Sequence, residues 1–339
     1  MKNRLLRAGL GLAAVTLVAP MLAACSGDDD EPKLVIYNAQ HEPLLKELAP
    51  AFTKETGIEV ELRNGKDLEL SNQLVQEGDA SPADVFLTEN SPAMSQVEAA
   101  GLFEKLPADL VAPIPAQYRP RSGLWTGFVA RSTVLVYNTD KVQPSDLPAS
   151  LLDLAKPEWK GRLSFSPTGA DFQAIVAAVL ELEGAEATKA WLEGIKENGK
   201  VYDGNNLVLE AVDSGEIEVG IVYHYYWERD HKENGDVSDN SEQYYFTKQD
   251  PGAFVSVSGA GVLKSSDMKD EAEQFIEFLV NEKGQQVLAD SYALEYPLNP
   301  AVQLEGVAKP FSELQPPEIN VSDLDAKATF ALMTEVGFF

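Results

Sequence analysis

The sequence predicts an α/β fold made of two units around a cleft. Short apolar strand candidates alternate with helices of three-to-four apolar spacing over residues 34–100, which is typical of a sheet covered by helices. The same alternation starts again after a strand candidate at 134–137. The chain has 339 residues, more than one hydrophobic core normally holds, so two units also agree with its length.

The apolar spacing defines the predicted elements in order. In the first unit we expect strands at 34–37, 58–62 and 85–87, a helix from Leu44 that ends before Gly57, and helices around 68–75 and 94–100. In the second unit we expect strands at 134–137, 163–165 and 219–223 and helices at 171–183, 186–197 and 207–214. A β-rich segment at 254–264 follows, then helices at 269–281 and 282–291 and a loop at 295–298.

The first 32 residues predict export and a lipid anchor. Lys2, Arg4 and Arg7 precede an apolar run over 8–24, which is the pattern of a signal peptide. An uncleaved membrane span is disfavoured because the run is short and contains Pro20. Its end, Leu-Ala-Ala-Cys, resembles the lipobox of bacterial lipoproteins. The resemblance implies that residues 1–24 are removed, that Cys25 carries lipid, and that 25–32 tether the protein to the extracytoplasmic side of the cell membrane.

Composition and motifs exclude several functions. The formal net charge of −27 argues against binding to nucleic acid or to an anionic membrane through a basic face. A single cysteine excludes an internal disulfide, a Cys-based zinc site and an iron–sulfur cluster. The motifs H-E-x-x-H, G-x-S-x-G and G-x-x-x-x-G-K-[ST] are absent from the sequence. We therefore predict that the chain is not an enzyme and does not itself power transport.

Polar residues that directly follow strands are the candidates for a site, because open α/β sheets bind ligands beyond the carboxyl ends of their strands. They lie at 38–41 after the first strand, at Thr88 and Glu89 after the third, and at Tyr225 and Tyr226 after strand 219–223.

The adjacent tyrosines leave three interpretations open. Tyr225 and Tyr226 could be packing residues, a stacking platform for a sugar or aromatic ligand, or metal ligands. Adjacent residues of a strand point to opposite faces, so a shared target requires a turn or a helix start at this point.

Ferric iron would suit the tyrosines chemically. Fe³⁺ is a hard cation that prefers anionic oxygen, and phenolate ligation to ferric iron is known. Two tyrosinates and one carboxylate supply three negative charges, and His41 and Glu89 are suitable companions. Taken singly, such a histidine is more often a satisfied polar residue and such a glutamate a helix-start residue.

The whole pattern resembles the ferric-ion-binding proteins of bacterial ABC iron importers, also called bacterial transferrins. The likeness extends over about 34–300, and its matching stretches are 37–41 (YNAQH), 82–86 (PADVF), 88–89 (TE), 130–132 (ARS), 196–200 (KENGK), 225–227 (YYW), 249–253 (QDPGA) and 295–298 (EYPL).

The resemblance implies a ligand set and an anion site. The family's iron ligands fall on His41, Glu89, Tyr225 and Tyr226. A small synergistic anion, such as phosphate, carbonate or a citrate-like molecule, would bind Fe³⁺ beside a turn that falls on Thr168, Gly169 and Ala170 and an asparagine that falls on Asn205. The chain has Tyr223 where the family can place a further asparagine, and this departure allows Tyr223 to act as an extra ligand or hydrogen-bond donor.

The resemblance also implies the type II periplasmic-binding-protein fold, in which the chain crosses twice between two lobes. We expect lobe one at 33–131 plus 256–306 and lobe two at 132–255 plus 307–339. The expected function is capture of ferric iron by a monomer and delivery to an ABC permease, with membrane contact only through the lipid. The alternative is a binding protein of the same fold for an organic or oxyanion solute such as a polyamine, thiamine or sulfate.

Overall fold

A computed structural model of the protein describes residues 32–233 and 238–339. The predicted signal peptide at 1–24, the lipidation site Cys25 and the tether as far as residue 31 lie outside the described residues. Within the two described ranges, no helix combines the length and apolar character that a bilayer span needs.

Ten strands and nine α-helices are assigned within the described ranges. The strands are β1 Leu34–Asn38, β2 Val60–Asn64, β3 Val85–Leu87, β4 Thr126–Asn138, β5 Leu163–Phe165, β6 Gly199–Val201, β7 Val219–Tyr223, β8 Ser241–Tyr244, β9 Val255–Val262 and β10 Tyr296–Pro297. The helices are α1 Glu42–Thr56, α2 Asp67–Glu77, α3 Pro92–Ala99, α4 Ala170–Asn198, α5 Asn205–Asp213, α6 His224–Glu233, α7 Lys269–Val280, α8 Glu282–Asp290 and α9 Ala326–Val336.

The strands form a mixed sheet in the order β2-β1-β3-β9-β4-β7-β5-β6, with β8 and β10 paired to β4. β1 runs parallel to β2 and β3, and β5 runs parallel to β6 and β7. β4 and β9 are antiparallel to their neighbours and to each other. The two parallel groups are therefore joined through β4 and β9.

Strand β4 changes partners midway. Its first half, through Ser132, pairs with β9, and its second half, from Thr133, pairs with β7. The buried apolar residues fall into two large clusters, one drawn mainly from 34–130 and 255–304 and the other mainly from 135–254 and 319–333. The exact boundaries of the two lobes stay a prediction.

Two glycines explain helix ends that the sequence predicts. α1 ends at Gly57, which adopts the left-handed conformation with φ 80° that glycine tolerates best. α4 contains a break at Gly184, where φ is also 80°, so the two helices expected at 171–183 and 186–197 are confirmed as the two halves of one interrupted element. α6, α9, β6 and β8 were not expected, and β10 lies within the segment expected as a loop at 295–298. The strand expected at 134–137 is only the end of the 13-residue β4.

The joint between α7 and α8 depends on a glycine. A Cβ atom added at Gly284 would lie 1.8 Å from the backbone oxygen of Phe278, which cannot move without disturbing α7. We expect Gly284→Ala to lower the free energy of unfolding by about 1–3 kcal/mol or more, as overpacking does. Gln286→Ala, at an exposed position on the same helix, is the control. Urea unfolding measures both variants, and equal stability of the two would contradict the packing of this joint.

Candidate metal-binding site

The tyrosine pair lies at the junction of β7 and α6. Tyr223 is the last residue of β7, and α6 begins at His224, so Tyr225 and Tyr226 occupy its first turn. The tyrosines therefore lie at a helix start, which is one of the two arrangements, a turn or a helix start, that a shared target would require. The two phenol rings lie 4.2 Å apart between centroids.

Both phenol oxygens contact one carboxylate, that of Asp171. The distances to its Oδ2 are 3.0 Å from the Tyr226 hydroxyl and 3.4 Å from the Tyr225 hydroxyl. Asp171 is the second residue of α4 and only 3% exposed. The sequence reasoning missed this residue, although it directly follows the turn of Thr168, Gly169 and Ala170 that was singled out.

His41 and Glu89 face each other beside the tyrosines. His41 Nε2 lies 3.4 Å from Glu89 Oε1, and the His41 ring packs edge-on against Tyr225 at 5.5 Å between centroids. His41 Nδ1 lies 3.1 Å from Glu295 Oε1. An imidazole that donates its Nδ1–H to Glu295 leaves the lone pair of Nε2 directed toward Glu89 and free for a cation.

Arg131 holds this side of the site together. It is fully buried at 0% exposure, and its Nε donates to Glu295 Oε2 at 2.8 Å. Its Nη2 donates to the Ser258 hydroxyl at 2.6 Å, and its Nη1 donates to the backbone oxygen of Glu89. Burial alone would raise the pKa of Glu295, but the charge of Arg131 and the hydrogen bond from His41 outweigh it and lower the pKa to about 2. The buried Arg131–Glu295 pair thus positions the imidazole of His41 through Glu295 and the backbone of Glu89 through Arg131.

The Glu89 backbone is held from a second direction by Asp67. The Asp67 carboxylate accepts the N–H groups of Glu89 at 2.8 Å and of Asn90 at 2.9 Å. Burial raises the pKa of Asp67 to about 7. Burial, together with the charge of Asp171, also raises the pKa of Glu89 well above its usual range.

The buried phenols resist ionisation in the absence of a cation. Burial, followed by the charge of Asp171, raises the pKa of Tyr225 and of Tyr226 well above 10. Arg229 lies 4.2 Å from the centre of the Tyr225 ring and Arg131 lies 6.0 Å from it. Both guanidinium groups therefore lie near the phenols. The phenols would become phenolates only when a cation of higher charge is bound.

The predicted anion residues are divided between two positions. Thr168, Gly169 and Ala170 line a cavity of about 930 Å³ together with His41 and Glu89. Asn205 is not among the residues that line this cavity, and its Nδ2 donates to Asp171 Oδ2 at 2.8 Å.

Tyr223, the proposed extra ligand or donor, is fully buried and already hydrogen bonded. Its hydroxyl contacts the backbone oxygen of Asp171 at 3.2 Å and the Asn90 Oδ1 at 3.4 Å. Burial and the charge of Asp171 raise its pKa well above 10. Tyr223 therefore lies on the same side of the tyrosine pair as Asp171.

In the described part of the chain, no group of three or more His, Cys, Asp or Glu side chains is arranged to hold a metal ion. The predicted ligand set has only one histidine and one glutamate beside its two tyrosines, so it is not a group of three such side chains. The arrangement instead offers phenol and carboxylate oxygens with one imidazole nitrogen, a donor set suited to a hard cation.

The chain matches the sequence model of the family described as bacterial extracellular solute-binding protein over residues 38–286. It is 51% identical over 332 residues to the Fe(3+)-binding periplasmic protein of Serratia marcescens, with 97% of each chain covered. This relative is named as a binding protein, and such relatives confirm the prediction that the chain is not an enzyme.

Solved structures match the fold closely. Iron-bound HitA from Pseudomonas aeruginosa superimposes with a TM-score of 0.85 at 41% identity, over 91% of this chain and all of that one. A Trichodesmium protein (IdiA, FutA) in complex with iron and citrate superimposes with a TM-score of 0.81 at 29% identity, over 91% of this chain and all of that one. The predicted type II periplasmic-binding-protein fold is confirmed.

The buried Arg131–Glu295 pair leads to a stability prediction. Arg131→Met should lower the free energy of unfolding by about 3–5 kcal/mol, because it leaves the Glu295 charge buried without its partner. Arg121→Met, which breaks an exposed pair with Asp323, should change stability little. Urea unfolding of the iron-free protein measures both. Similar losses in the two variants would mean that the buried pair does not hold the site.

Proposed function

The chain belongs to the bacterial extracellular solute-binding protein family, and from that premise we propose that it captures a ferric ion outside the cytoplasm and delivers it to an ABC permease. The observation that carries the proposal is the series of contacts that joins Glu89 to His41, His41 to Tyr225 and Tyr225 to Tyr226. The named functions of the Serratia and Pseudomonas relatives support iron as the cargo.

The chemistry of the donors favours Fe³⁺ over other cargo. Two phenolates and the Glu89 carboxylate would carry three negative charges, which balance one ferric ion, and His41 Nε2 adds a neutral ligand. Buried phenols with a raised pKa lose their protons only to a cation of high charge density, because its charge dominates the local electrostatics. A small synergistic anion beside Thr168, Gly169 and Ala170 stays a prediction.

We propose that binding is coupled to closure of two lobes, with boundaries at 33–131 plus 256–306 and 132–255 plus 307–339. His41 and Glu89 then belong to lobe one and both tyrosines to lobe two. A ferric ion that contacts both sets has contacts in the closed form that are missing in the open form, and only such differential contact shifts the equilibrium. The separation of the buried apolar clusters supports this division as far as residue 304 and again from Leu324 onward, whereas Val307, Phe311, Leu314 and Val321 pack with the cluster of lobe one.

We also propose that the mature protein is a monomeric lipoprotein, held at the membrane by lipid on Cys25, with residues 26–32 as a polar tether. The tether keeps the binding unit near the permease, which would recognise the iron-loaded form.

The tyrosine pair should be the source of visible colour. Phenolate-to-Fe³⁺ charge transfer absorbs visible light, whereas an organic solute bound at the same place would give no such band. We expect the Tyr225→Phe/Tyr226→Phe double variant to fold but to lose the band and most of its iron affinity. A ferric titration followed by visible absorbance and thermal melting measures this.

Tyr118→Phe is the matched control, since Tyr118 is buried but packs against Phe311. It should keep the band of the parent protein. An undiminished band in the double variant would remove both tyrosines from the ligand set. A parent protein with neither colour nor a ferric-dependent rise in melting temperature would favour the organic or oxyanion solute.

The lipid anchor is testable separately. Cys25→Ala should move the protein from the membrane fraction to the soluble extracytoplasmic fraction without a change in iron affinity, because the cysteine precedes the binding unit. Ser26→Ala is the control and should leave the protein with the membrane. Fractionation and ferric titration measure the two effects, and an unchanged membrane fraction for Cys25→Ala contradicts the anchor.

A further inference from the structure

Arg229 is a positive charge beside the tyrosine pair that the predicted ligand set does not use. It lies on α6 four residues after Tyr225, so the two side chains are neighbours on one face of the helix. Its Cζ atom lies 4.2 Å from the centre of the Tyr225 ring and 6.0 Å from that of the Tyr226 ring. A guanidinium group at this distance is attracted to the face of an aromatic ring, and a phenolate attracts it more strongly than a phenol does.

The charge of Arg229 has no direct counter-charge. Within 32–233 and 238–339, no carboxylate forms an ion pair with it, and its Nη2 is buried without a hydrogen-bond acceptor. The charge of Arg229 does help to lower the pKa of Glu295, but the Glu295 oxygens are bonded to Arg131 and His41. A buried guanidinium nitrogen without a partner costs free energy. The group is therefore available to an anion that forms at the Tyr225 ring.

A second ring and a backbone oxygen hold this guanidinium group in place. Its Cζ lies 5.0 Å from the centre of the Tyr292 ring, and its Nε donates to the backbone oxygen of Ala293 at 3.1 Å. Both residues follow α8 and pack with the buried cluster drawn mainly from 34–130 and 255–304, whereas Tyr225 belongs to the other large cluster. Arg229 thus joins the start of α6 to a segment of the opposite cluster.

We propose that Arg229 is a positioning residue for iron capture: it is the fixed counter-charge for the Tyr225 phenolate, and Tyr292 and Ala293 hold it against that ring. The inference rests on the proposed function, because the phenolate forms only when a ferric ion binds. Arg131 cannot replace Arg229, since it lies 6.0 Å from the same ring centre and is paired with Glu295.

This role has two consequences. The contact favours the ionised ring over the neutral one, so it contributes to iron affinity and little to the stability of the iron-free protein. The segment at 292–293 holds the guanidinium group, so the full effect requires this segment and α6 to be in contact. Iron binding and that contact therefore favour each other.

The first test is Arg229→Met, which removes the charge and keeps most of the side-chain length. We expect ferric affinity to fall by about tenfold or more. The visible band should move to longer wavelength, because loss of a nearby positive charge raises the energy of the phenolate electrons. The melting temperature of the iron-free protein should change little, while its rise on iron binding should shrink. Ferric titration in competition with citrate, visible absorbance and thermal melting measure these effects.

Two further variants separate charge from packing. Arg229→Lys keeps a positive charge, so its affinity and band position should lie between those of the parent and of Arg229→Met. Arg162→Met is the matched control, since Arg162 lies 4.6 Å from the ring centre of Trp159 and precedes β5, away from the tyrosine pair. It should keep the band and the ferric affinity of the parent. A band that stays in place in Arg229→Met would overturn the proposal, whatever happens to stability.

A double-mutant cycle tests the role of the 292–293 segment. Tyr292→Leu should lower ferric affinity and move the band in the same direction as Arg229→Met, but less. It should have no further effect when Arg229→Met is already present, because Tyr292 acts only through Arg229. Additive losses would overturn this positioning. If Arg229→Met does not fold, an unmoved band in Tyr292→Leu would overturn the proposal by itself.

The outcomes separate this inference from the proposed function. A parent protein that binds no iron, or binds it without a visible band, fails the proposed function and with it this inference. A parent protein whose band appears on iron binding and stays in place in both Arg229→Met and Tyr292→Leu keeps the ferric function and overturns only the role of Arg229.

Discussion

The central constraint on this molecule is a set of acidic groups, Asp171, Glu89, Tyr225 and Tyr226, that are buried or largely buried. The Asp171 carboxylate accepts hydrogen bonds from the hydroxyls of Tyr225 and Tyr226, and desolvation, followed by the charge of Asp171, raises the pKa of Glu89 and of both tyrosines. Burial costs free energy that a bound cation of high charge would recover. Arg229 and Arg131 lie beside the Tyr225 ring, and the proposed ferric ion would add the further positive charge that two phenolates require.

The fold supplies the donors from separate parts of the chain. His41 follows β1, Glu89 follows β3, Asp171 starts α4, and the tyrosines start α6. Arg131 lies on β4 just before the point where that strand changes partners, and its bonds to Glu295 and to the backbone of Glu89 tie β4 to the proposed ligands His41 and Glu89. The strand that joins the two parallel groups also fixes the geometry of the site.

The sequence predicted local features well and long-range ones poorly. Gly57 and the break at Gly184 follow from the conformational freedom of glycine. α6 was not predicted, and the sequence indicated only that a target shared by adjacent tyrosines would require a turn or a helix start. The full length of β4 was missed because its first half, with Gly127 and Arg131, lacks a simple apolar pattern. Asp171 was missed because its partner Asn205 lies 34 residues away along the chain. The role of Arg131 was missed because its partner Glu295 lies 164 residues away.

The most direct test of the account is anomalous diffraction at the iron absorption edge from crystals of the iron-loaded protein. The account predicts one strong peak within bonding distance of the phenol oxygens of Tyr225 and Tyr226, with His41 Nε2 and a Glu89 oxygen also in the coordination sphere. A peak away from the tyrosine pair, or crystals of iron-treated protein without a peak, would contradict it.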